Sequence, residues 1–116
     1  MSKKYIPQRN HIIWLDYEPT KGKEIGKYRP SLVLSSKEYS QKTGLVICCP
    51  ISTSIRGAKT EVSIDNLDKP SVVATTLIQT FSWQERKAKF IIEAKDGVMT
   101  DVLSRVLVII GADCYF

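Results

Sequence analysis

The sequence predicts a mainly β fold: a small, strongly curved barrel of about six or seven strands, with a C-terminal helix and one short connector helix. Three observations favour it. Short runs rich in β-branched and aromatic residues alternate with turn-forming clusters along most of the 116 residues. Only the last part of the chain has a long helical pattern. Closing the sheet, or covering it with that helix, would remove exposed strand edges, which promote aggregation.

Seven segments predict strands, because each is short, apolar and bounded by turn-forming residues. A polar segment, residues 18–28, separates the first two strands. It is too long for a tight hairpin, so it predicts a mobile loop of the kind that often carries function. The predicted strands are residues 11–17, 30–35, 45–51, 61–64, 72–76, 78–83 and 89–93.

Two helices are predicted from their capping residues. Ser35 followed by Glu38 forms a capping-box pattern, and Gly44 lies where a connector helix over residues 36–42 would end. Near the C-terminus, Thr100 is a capping residue and Gly111 is a stop. The last turns of this second helix are apolar nearly all round, so they are either buried or in contact with another chain. The apolar residues on its main face are Val102, Leu103, Val106, Leu107 and Ile110.

The chain length predicts a single domain over residues 1–116, since one core commonly serves about 100 to 200 residues. Hydrophobic residues make up 43% and charged residues 25%, as in ordinary globular proteins. No apolar run approaches the roughly 20 residues that cross a bilayer, and the first residues do not resemble a signal peptide. We therefore expect a cytoplasmic protein that does not act at a membrane.

The charge distribution indicates where a binding surface lies, and the missing motifs exclude several classes of enzyme. Of the net charge of +5, +4 lies in residues 1–30, so an anion-binding surface is expected in the N-terminal part.

Cys48, Cys49 and Cys114 lack metal-binding spacing, and the first two are expected to be buried hydrophobes. The single histidine, His11, is the first residue of a predicted strand, and this position favours a structural role for it. No metalloprotease, serine hydrolase, P-loop or dinucleotide-binding motif occurs, so neither a metal nor a cofactor is predicted.

The segment PTKGKEIGKYRP, residues 19–30, suits a phosphodiester strand. Its four cations can neutralise phosphates, Tyr28 can stack on a base, and its two glycines allow close approach. A solvated basic loop is the alternative. Arg29 is held extended by Pro30, so its guanidinium can offer a fixed fork of donors to phosphate or to the extra charge of a transition state. A structural salt bridge to Glu24 or another carboxylate is the other interpretation.

A second polar cluster, PISTS at residues 50–54, follows a strong strand and precedes Arg56 and Gly57. Hydroxyl groups at the end of a strand can donate hydrogen bonds to a phosphate oxygen. They can equally form a turn that bonds its own backbone, and residues alone leave both interpretations open.

In order and spacing, these two clusters resemble the MazF/PemK family of toxin endoribonucleases, the toxic halves of type II toxin–antitoxin pairs. The resemblance rests on IIWLDYEPTKGKEIGKYRPSLVLS at residues 12–35, Tyr39 and KTG at 42–44, CCPIST at 48–53, Glu61-Val62 and the C-terminal helix. It implies an SH3-like or CcdB-like barrel that forms a homodimer. It also implies metal-independent, sequence-selective cleavage of single-stranded mRNA. There the ribose 2′-hydroxyl attacks the adjacent phosphate and leaves 2′,3′-cyclic phosphate and 5′-hydroxyl ends.

The resemblance also implies site residues and partners. Arg29 matches the family's catalytic arginine, for transition-state stabilisation and proton transfer. Ser52 falls where many members have the catalytic threonine, with Thr53 beside it, so the hydroxyl is retained without the methyl group and both residues are expected to contact the phosphate. Glu24 matches a glutamate that orients Arg29 or the substrate. An antitoxin with an acidic, partly disordered C-terminal segment is the expected protein partner. The residues expected to bind RNA are Thr20, Lys21, Lys23, Lys27, Tyr28, Arg56 and Gln79.

One departure from the family pattern keeps two other interpretations open. Members commonly have an Asp-Gln pair where this chain has Thr76 and Leu77, which implies altered base preference or a catalytically weakened relative. The other alternative is a non-enzymatic toxin that, like the CcdB gyrase poisons, acts by binding DNA gyrase through its C-terminal helix.

Overall fold

A computed structural model describes residues 5–116, which form seven strands, two α-helices and two single 3-10 turns, at Thr75–Leu77 and Asp113–Tyr115. The predicted strands all occur, with ends shifted by at most two residues. The elements are β1 (His11–Asp16), β2 (Tyr28–Val33), α1 (Lys37–Thr43), β3 (Leu45–Ser52), β4 (Glu61–Ile64), β5 (Ser71–Ala74), β6 (Gln79–Ser82), β7 (Lys89–Glu93) and α2 (Val98–Ile109).

The strands form one strongly curled antiparallel sheet in the order β4-β5-β3-β2-β1-β7. The central strand β3 pairs with three other strands. Its first half pairs with β6, where Leu45 faces Ser82, and its last residues pair with β5, where Ser52 faces Val72. Its other edge pairs with β2. The sheet is therefore a curled half-barrel, and the predicted mainly β fold with a C-terminal helix and a connector helix is confirmed.

Both faces of the central strands are covered by apolar side chains. Ile12 and Leu32 face a core that α2 closes with Val102 and Val106. Alternate residues on the same strands face a second core, and Ile25 of the long loop packs against it. Since side chains alternate along a strand, burial on both sides explains the near-continuous apolar runs. The second core comprises Ile13, Leu15, Tyr17, Val33, Val46, Cys48 and Trp83.

Cys48 and Cys49 follow this pattern. Both thiols are free and buried, which confirms that these residues behave as core hydrophobes, whereas Cys114 is exposed. Burial raises the pKa of each buried thiol to about 12, so both stay protonated at neutral pH.

Two capping predictions are wrong. Ser36, not Ser35, caps α1, and its side chain accepts from the backbone N–H of Tyr39 at 3.2 Å. Ser35 remains tied to the sheet, because its Oγ accepts from Ile47 N at 3.0 Å. The second helix begins after Gly97 and before Thr100, so Thr100 lies inside its first turn.

The C-terminal end of α2 is exposed. Gly111 follows the helix with φ of 73°, a left-handed conformation that glycine adopts without strain, so the predicted stop is confirmed. Val108 and Ile110 are 61% and 63% exposed, so this apolar end is not buried within one chain. No helix in the described part of the chain is long and apolar enough to cross a bilayer.

His11 packs at the start of β1, next to two aromatic rings. Its Nδ1 lies 2.6 Å from the hydroxyl of Tyr5, and its ring contacts Phe90 edge-on at 4.8 Å. Burial is the main influence on its pKa and lowers it from the ordinary value; Glu93 opposes this shift and Lys37 adds to it.

We expect acid to destabilise the protein through His11. Because the folded state holds a pKa below the ordinary value of 6.5, the unfolded chain binds the proton more readily between those two values. The free energy of unfolding should therefore fall as pH drops below about 6.5. Urea unfolding of the protein and of His11→Gln, at about pH 7.5 and about pH 5.5, tests this. The variant should lose less stability across that interval, and equal losses would contradict the assignment.

Candidate active site

A cleft of about 460 Å³ opens where the long loop, the end of β3 and the start of β4 meet. The loop contributes Lys23 and Glu24, β3 contributes Ser52, and the segment after it contributes Arg56. Four of the predicted site residues therefore come together from two distant parts of the sequence. The two clusters singled out in the sequence lie side by side because β2 and β3 are neighbouring strands.

Arg29 is the second residue of β2 and is not among the residues that line this cleft, although it contacts the residue before the cleft residue Ser52. Ser31 pairs with Pro50, and extending that register by two residues places Arg29 opposite Ser52. Directly opposed residues of an antiparallel pair have side chains on the same face. The guanidinium reaches across accordingly, since its Nη1 lies 3.4 Å from the carbonyl oxygen of Ile51, the residue before Ser52.

The guanidinium is fixed but not neutralised. Its Nε donates to the carbonyl oxygen of Gly26 at 2.6 Å. Partial burial lowers the pKa of Arg29, although a guanidinium remains protonated at neutral pH. Among residues 5–116 the close pairs of opposite charge are Lys95–Asp65 and, only when His11 is protonated, His11–Glu93, so Arg29 does not form the salt bridge considered from sequence. Two of its five N–H donors bond to the backbone, which leaves the others for an anion.

Glu24 shapes the loop and does not contact Arg29 directly. Its carboxylate accepts from the backbone N–H of Lys21 at 2.6 Å, while its own N–H donates to the Lys21 carbonyl at 3.1 Å. The side chain is exposed and lines the cleft. Of the two roles implied for Glu24, this position fits contact with the substrate, and it does not fit orientation of Arg29 through a direct bond.

Ser52 and Thr53 lie on different sides of the chain. Ser52 lines the cleft, and its Oγ accepts from the N–H of Ser54 at 3.0 Å, so the turn expected for this cluster is present. Thr53 lines a second cavity of about 480 Å³, together with Trp14 and Pro30. The structure therefore separates the two hydroxyls that the sequence analysis grouped together.

The remaining predicted RNA-binding residues are spread around the cleft. Tyr28 stacks on Trp14 with ring centroids 5.3 Å apart and planes 16° apart, on the side of the second cavity. Its ring is 46% exposed. Gln79 is half-buried in β6, where it pairs with Cys48, and does not line the cleft. Thr20, Lys21 and Lys27 lie on the long loop outside the cleft lining.

Sequence reasoning missed other residues that line these cavities. Glu61 lines the cleft at the start of β4, and Thr76 and Leu77 line it from the 3-10 turn after β5. The departure at Thr76 and Leu77 was visible in the sequence, but its position in the cleft was not. Trp14 belongs to the apolar run of β1 in the sequence, whereas in the structure it is half-buried, lines the second cavity and stacks on Tyr28.

A comparison with models of known protein families identifies the family of this chain. The model of the PemK-like, MazF-like toxins of type II toxin–antitoxin systems matches residues 8–110 of this chain. The chain belongs to this toxin family. The matched range includes both arms of the cleft and all of α2, so the MazF-like resemblance inferred from the sequence is confirmed.

Individual members of the MazF-like family agree with this assignment. The endoribonuclease toxin MazF of Escherichia coli K12 is 34% identical over 88 residues, covering 76% of this chain and 79% of that protein. The crystal structure of MazF from Deinococcus radiodurans superposes with a TM-score of 0.89 at 32% identity, covering 93% of this chain and 99% of the other. A MazE–MazF structure from the same organism gives 0.82 at 32% identity, covering 93% and 98%.

Proposed function

We propose that this chain is a toxin endoribonuclease that cleaves single-stranded mRNA at selected sequences. The observation that carries the proposal is the position of the Arg29 guanidinium. Its Nη1 lies 3.4 Å from the carbonyl of Ile51, beside the cleft residue Ser52, with donors left for a phosphate. The MazF relatives, named as endoribonucleases, supply the reaction class.

The proposed reaction uses a nucleophile that belongs to the RNA. The ribose 2′-oxygen loses its proton and bonds to the adjacent phosphorus, and the bond from phosphorus to the 5′-oxygen breaks as that oxygen gains a proton. The products are a 2′,3′-cyclic phosphate and a 5′-hydroxyl. Arg29 stabilises the added negative charge of the transition state, and Ser52 donates to a phosphate oxygen. The protein's main task is to hold the 2′-oxygen in line with the bond that breaks.

Cations and aromatic rings define the proposed path of the RNA. Lys23 and Arg56 line the cleft and form no ion pair among residues 5–116, so their charges are available to phosphates. Lys21 and Lys27 are exposed on the same loop. Tyr28, stacked on Trp14, offers a surface for an unpaired base, because stacking accepts any base. Thr20 and Gln79 are proposed as outer contacts, and Glu24 as a contact of the substrate in the cleft.

We propose two protein partners. The first is a second copy of this chain, since the apolar end of α2 remains exposed on the single chain and the family resemblance implies a homodimer. The second is an antitoxin with an acidic C-terminal segment, supported by the MazE–MazF complexes of similar proteins. Such a segment would compete with RNA for the basic surface. We assign residues 1–116 to one toxin domain that acts in the cytoplasm, where mRNA is translated.

The test is cleavage of single-stranded RNA by the purified protein in excess EDTA, followed by analysis of the fragment ends. We expect cutting at a limited set of sequences, with cyclic phosphate and 5′-hydroxyl ends. Loss of cleavage in EDTA would refute the metal-independent scheme. Fragments with 5′-phosphate ends would refute attack by the 2′-hydroxyl. A toxin that only binds gyrase would leave the RNA intact.

The residues Thr76 and Leu77 favour the interpretation that this chain has an altered base preference or a lower rate of RNA cleavage than other family members. Both line the cleft in place of the Asp-Gln pair that members commonly have. Replacing a carboxylate and an amide by a hydroxyl and an isobutyl group removes hydrogen-bond acceptors that could read a base edge. The spectrum of sites cut in the EDTA assay would therefore differ from that of a relative with the pair.

We expect Ser52 and Thr53 to differ in their effects on catalysis. Ser52→Ala removes a cleft hydroxyl and should lower kcat about 10- to 100-fold. Ser52→Thr keeps a hydroxyl and should retain most of the rate. Thr53→Val keeps the side-chain shape and should change KM more than kcat, because Thr53 lines the other cavity. Steady-state kinetics on a short RNA measures all three, and equal losses of kcat in Ser52→Ala and Thr53→Val would contradict the separation.

A further inference from the structure

The segment that carries Arg56 into the cleft, residues 53–60, belongs to no strand or helix. It is held from outside at several points. Arg105 of α2 donates from Nε to the Lys59 carbonyl at 2.9 Å, and the buried Thr75 donates from Oγ1 to the Thr60 carbonyl at 2.5 Å. These contacts hold the end of the segment, and another side chain holds its middle.

That side chain is Glu61. Its carboxylate accepts from three consecutive backbone N–H groups: Arg56 at 3.2 Å, Gly57 at 2.9 Å and Ala58 at 3.2 Å, all to Oε1. Its second oxygen lies 3.3 Å from the N–H of Arg56. The backbone of Gly57 has φ of 74°, a left-handed conformation that helps turn successive N–H groups toward one point. Hydrogen bonds to an ionised acceptor are stronger than neutral ones, so the turn is firmly closed.

The carboxylate binds the backbone of Arg56 but not its side chain. No ion pair joins Glu61 to the Arg56 guanidinium, although the two residues meet at the same turn and both line the cleft. The negative charge is satisfied by backbone dipoles, while the positive charge of the exposed Arg56 is left for a ligand. A direct pair would have neutralised both groups.

We propose that Glu61 is a positioning residue for RNA binding, which closes the turn over residues 56–58 and so directs the Arg56 guanidinium at a substrate phosphate. This inference rests on the proposed function. Glu61 acts through Arg56 and does not touch the reacting atoms. A loose segment would have to be ordered each time RNA binds, and that cost would weaken binding.

The sign of the effect separates this role from simple electrostatics. Removing a negative charge beside a cleft ordinarily tightens the binding of a polyanion. The same tightening would follow if the carboxylate competed with a phosphate for these N–H groups. Positioning predicts the opposite, because Glu61→Ala loses the turn that aims Arg56.

The experiment is a double-mutant cycle of Glu61→Ala and Arg56→Ala, with KM and kcat measured on a short single-stranded RNA at several salt concentrations. We expect each single variant to raise KM roughly tenfold, with kcat within about twofold. The double variant should match Arg56→Ala alone, since the two changes remove one interaction. Both single variants should reduce the salt slope by about one. Exposed Glu85→Ala, which makes the same charge change outside the cleft, should leave KM unchanged or lower it.

Each outcome supports or overturns the proposal. Unchanged or lower KM for Glu61→Ala, or additive losses in the double variant, overturns the positioning role while the proposed function stands. A wild-type protein that leaves RNA intact refutes the proposed function and this inference together. If Glu61→Ala does not fold, Glu61→Asp replaces it, because the shorter side chain keeps the charge and draws the carboxylate back from the three N–H groups; a several-fold rise in KM supports the role and an unchanged KM overturns it.

Discussion

Replacing Arg29 by alanine should lower the rate of RNA cleavage by about 10³-fold. A fixed guanidinium that meets charge developing in the transition state contributes on that order, as shown by the loss of single stabilising donors or arginines in other enzymes. Arg29 is already held by the carbonyls of Gly26 and Ile51, so little reorganisation is needed when the substrate reacts. Single-turnover cleavage with excess enzyme measures the chemical step directly.

Two controls separate catalysis from folding. Because Arg29 also bonds to the backbone, the thermal unfolding of Arg29→Ala should be compared with that of the wild-type protein. Arg29→Lys keeps the charge and loses the planar fork, so its rate should lie between those of the other two proteins. Wild-type cleavage by a folded Arg29→Ala variant would remove Arg29 from the mechanism.

Leu32→Ala should have the largest effect on stability. Leu32 is fully buried near the end of β2, in the core that α2 closes. Truncating such a leucine removes buried apolar surface and leaves a cavity, at a cost of about 2–5 kcal/mol. Native domains are stable by only about 5–15 kcal/mol, so much of the margin would be lost. Tm should fall by roughly 10 °C or more.

Leu45→Ala is the matched control for this change. Leu45 begins the neighbouring strand β3 and is 37% exposed, so the same truncation should cost less than about 1 kcal/mol. Both variants should be compared at one protein concentration, because assembly stabilises the folded state by mass action. Similar losses of Tm in the two variants would mean that Leu32 is not a core residue.

Much of the fold could be predicted because its signals are local. The apolar runs around Ile13 and Val33 indicate strands without knowledge of their partners, and Gly44 and Gly111 indicate helix ends. The cap of α1 was predicted one residue early because Ser35 and Ser36 are chemically equivalent in the sequence. Only the pairing of Ser35 with Ile47 across the sheet decides between them.

The candidate site was less accessible to sequence reasoning, because it depends on strand pairing and direction. Arg29 and Ser52 could be singled out as residue types, and the family resemblance brought them together. Alternation along a strand predicts that Ser52 and Thr53 point to opposite faces, but the sequence could not show which face carries the cleft, since that depends on where the long loop and the segment after β3 lie. Nor could it show that Glu24 bonds to Lys21 and leaves Arg29 unpaired.

The threefold pairing of β3 has a consequence for when activity can first appear. Arg29 arrives on β2, Ser52 on β3, and Thr76 on the turn after β5, and the order of these strands in the sheet holds them together. No short stretch of residues 5–116 carries all the parts of the proposed site. We therefore expect the emerging polypeptide to leave the message being translated intact until the later strands have docked during synthesis on the ribosome.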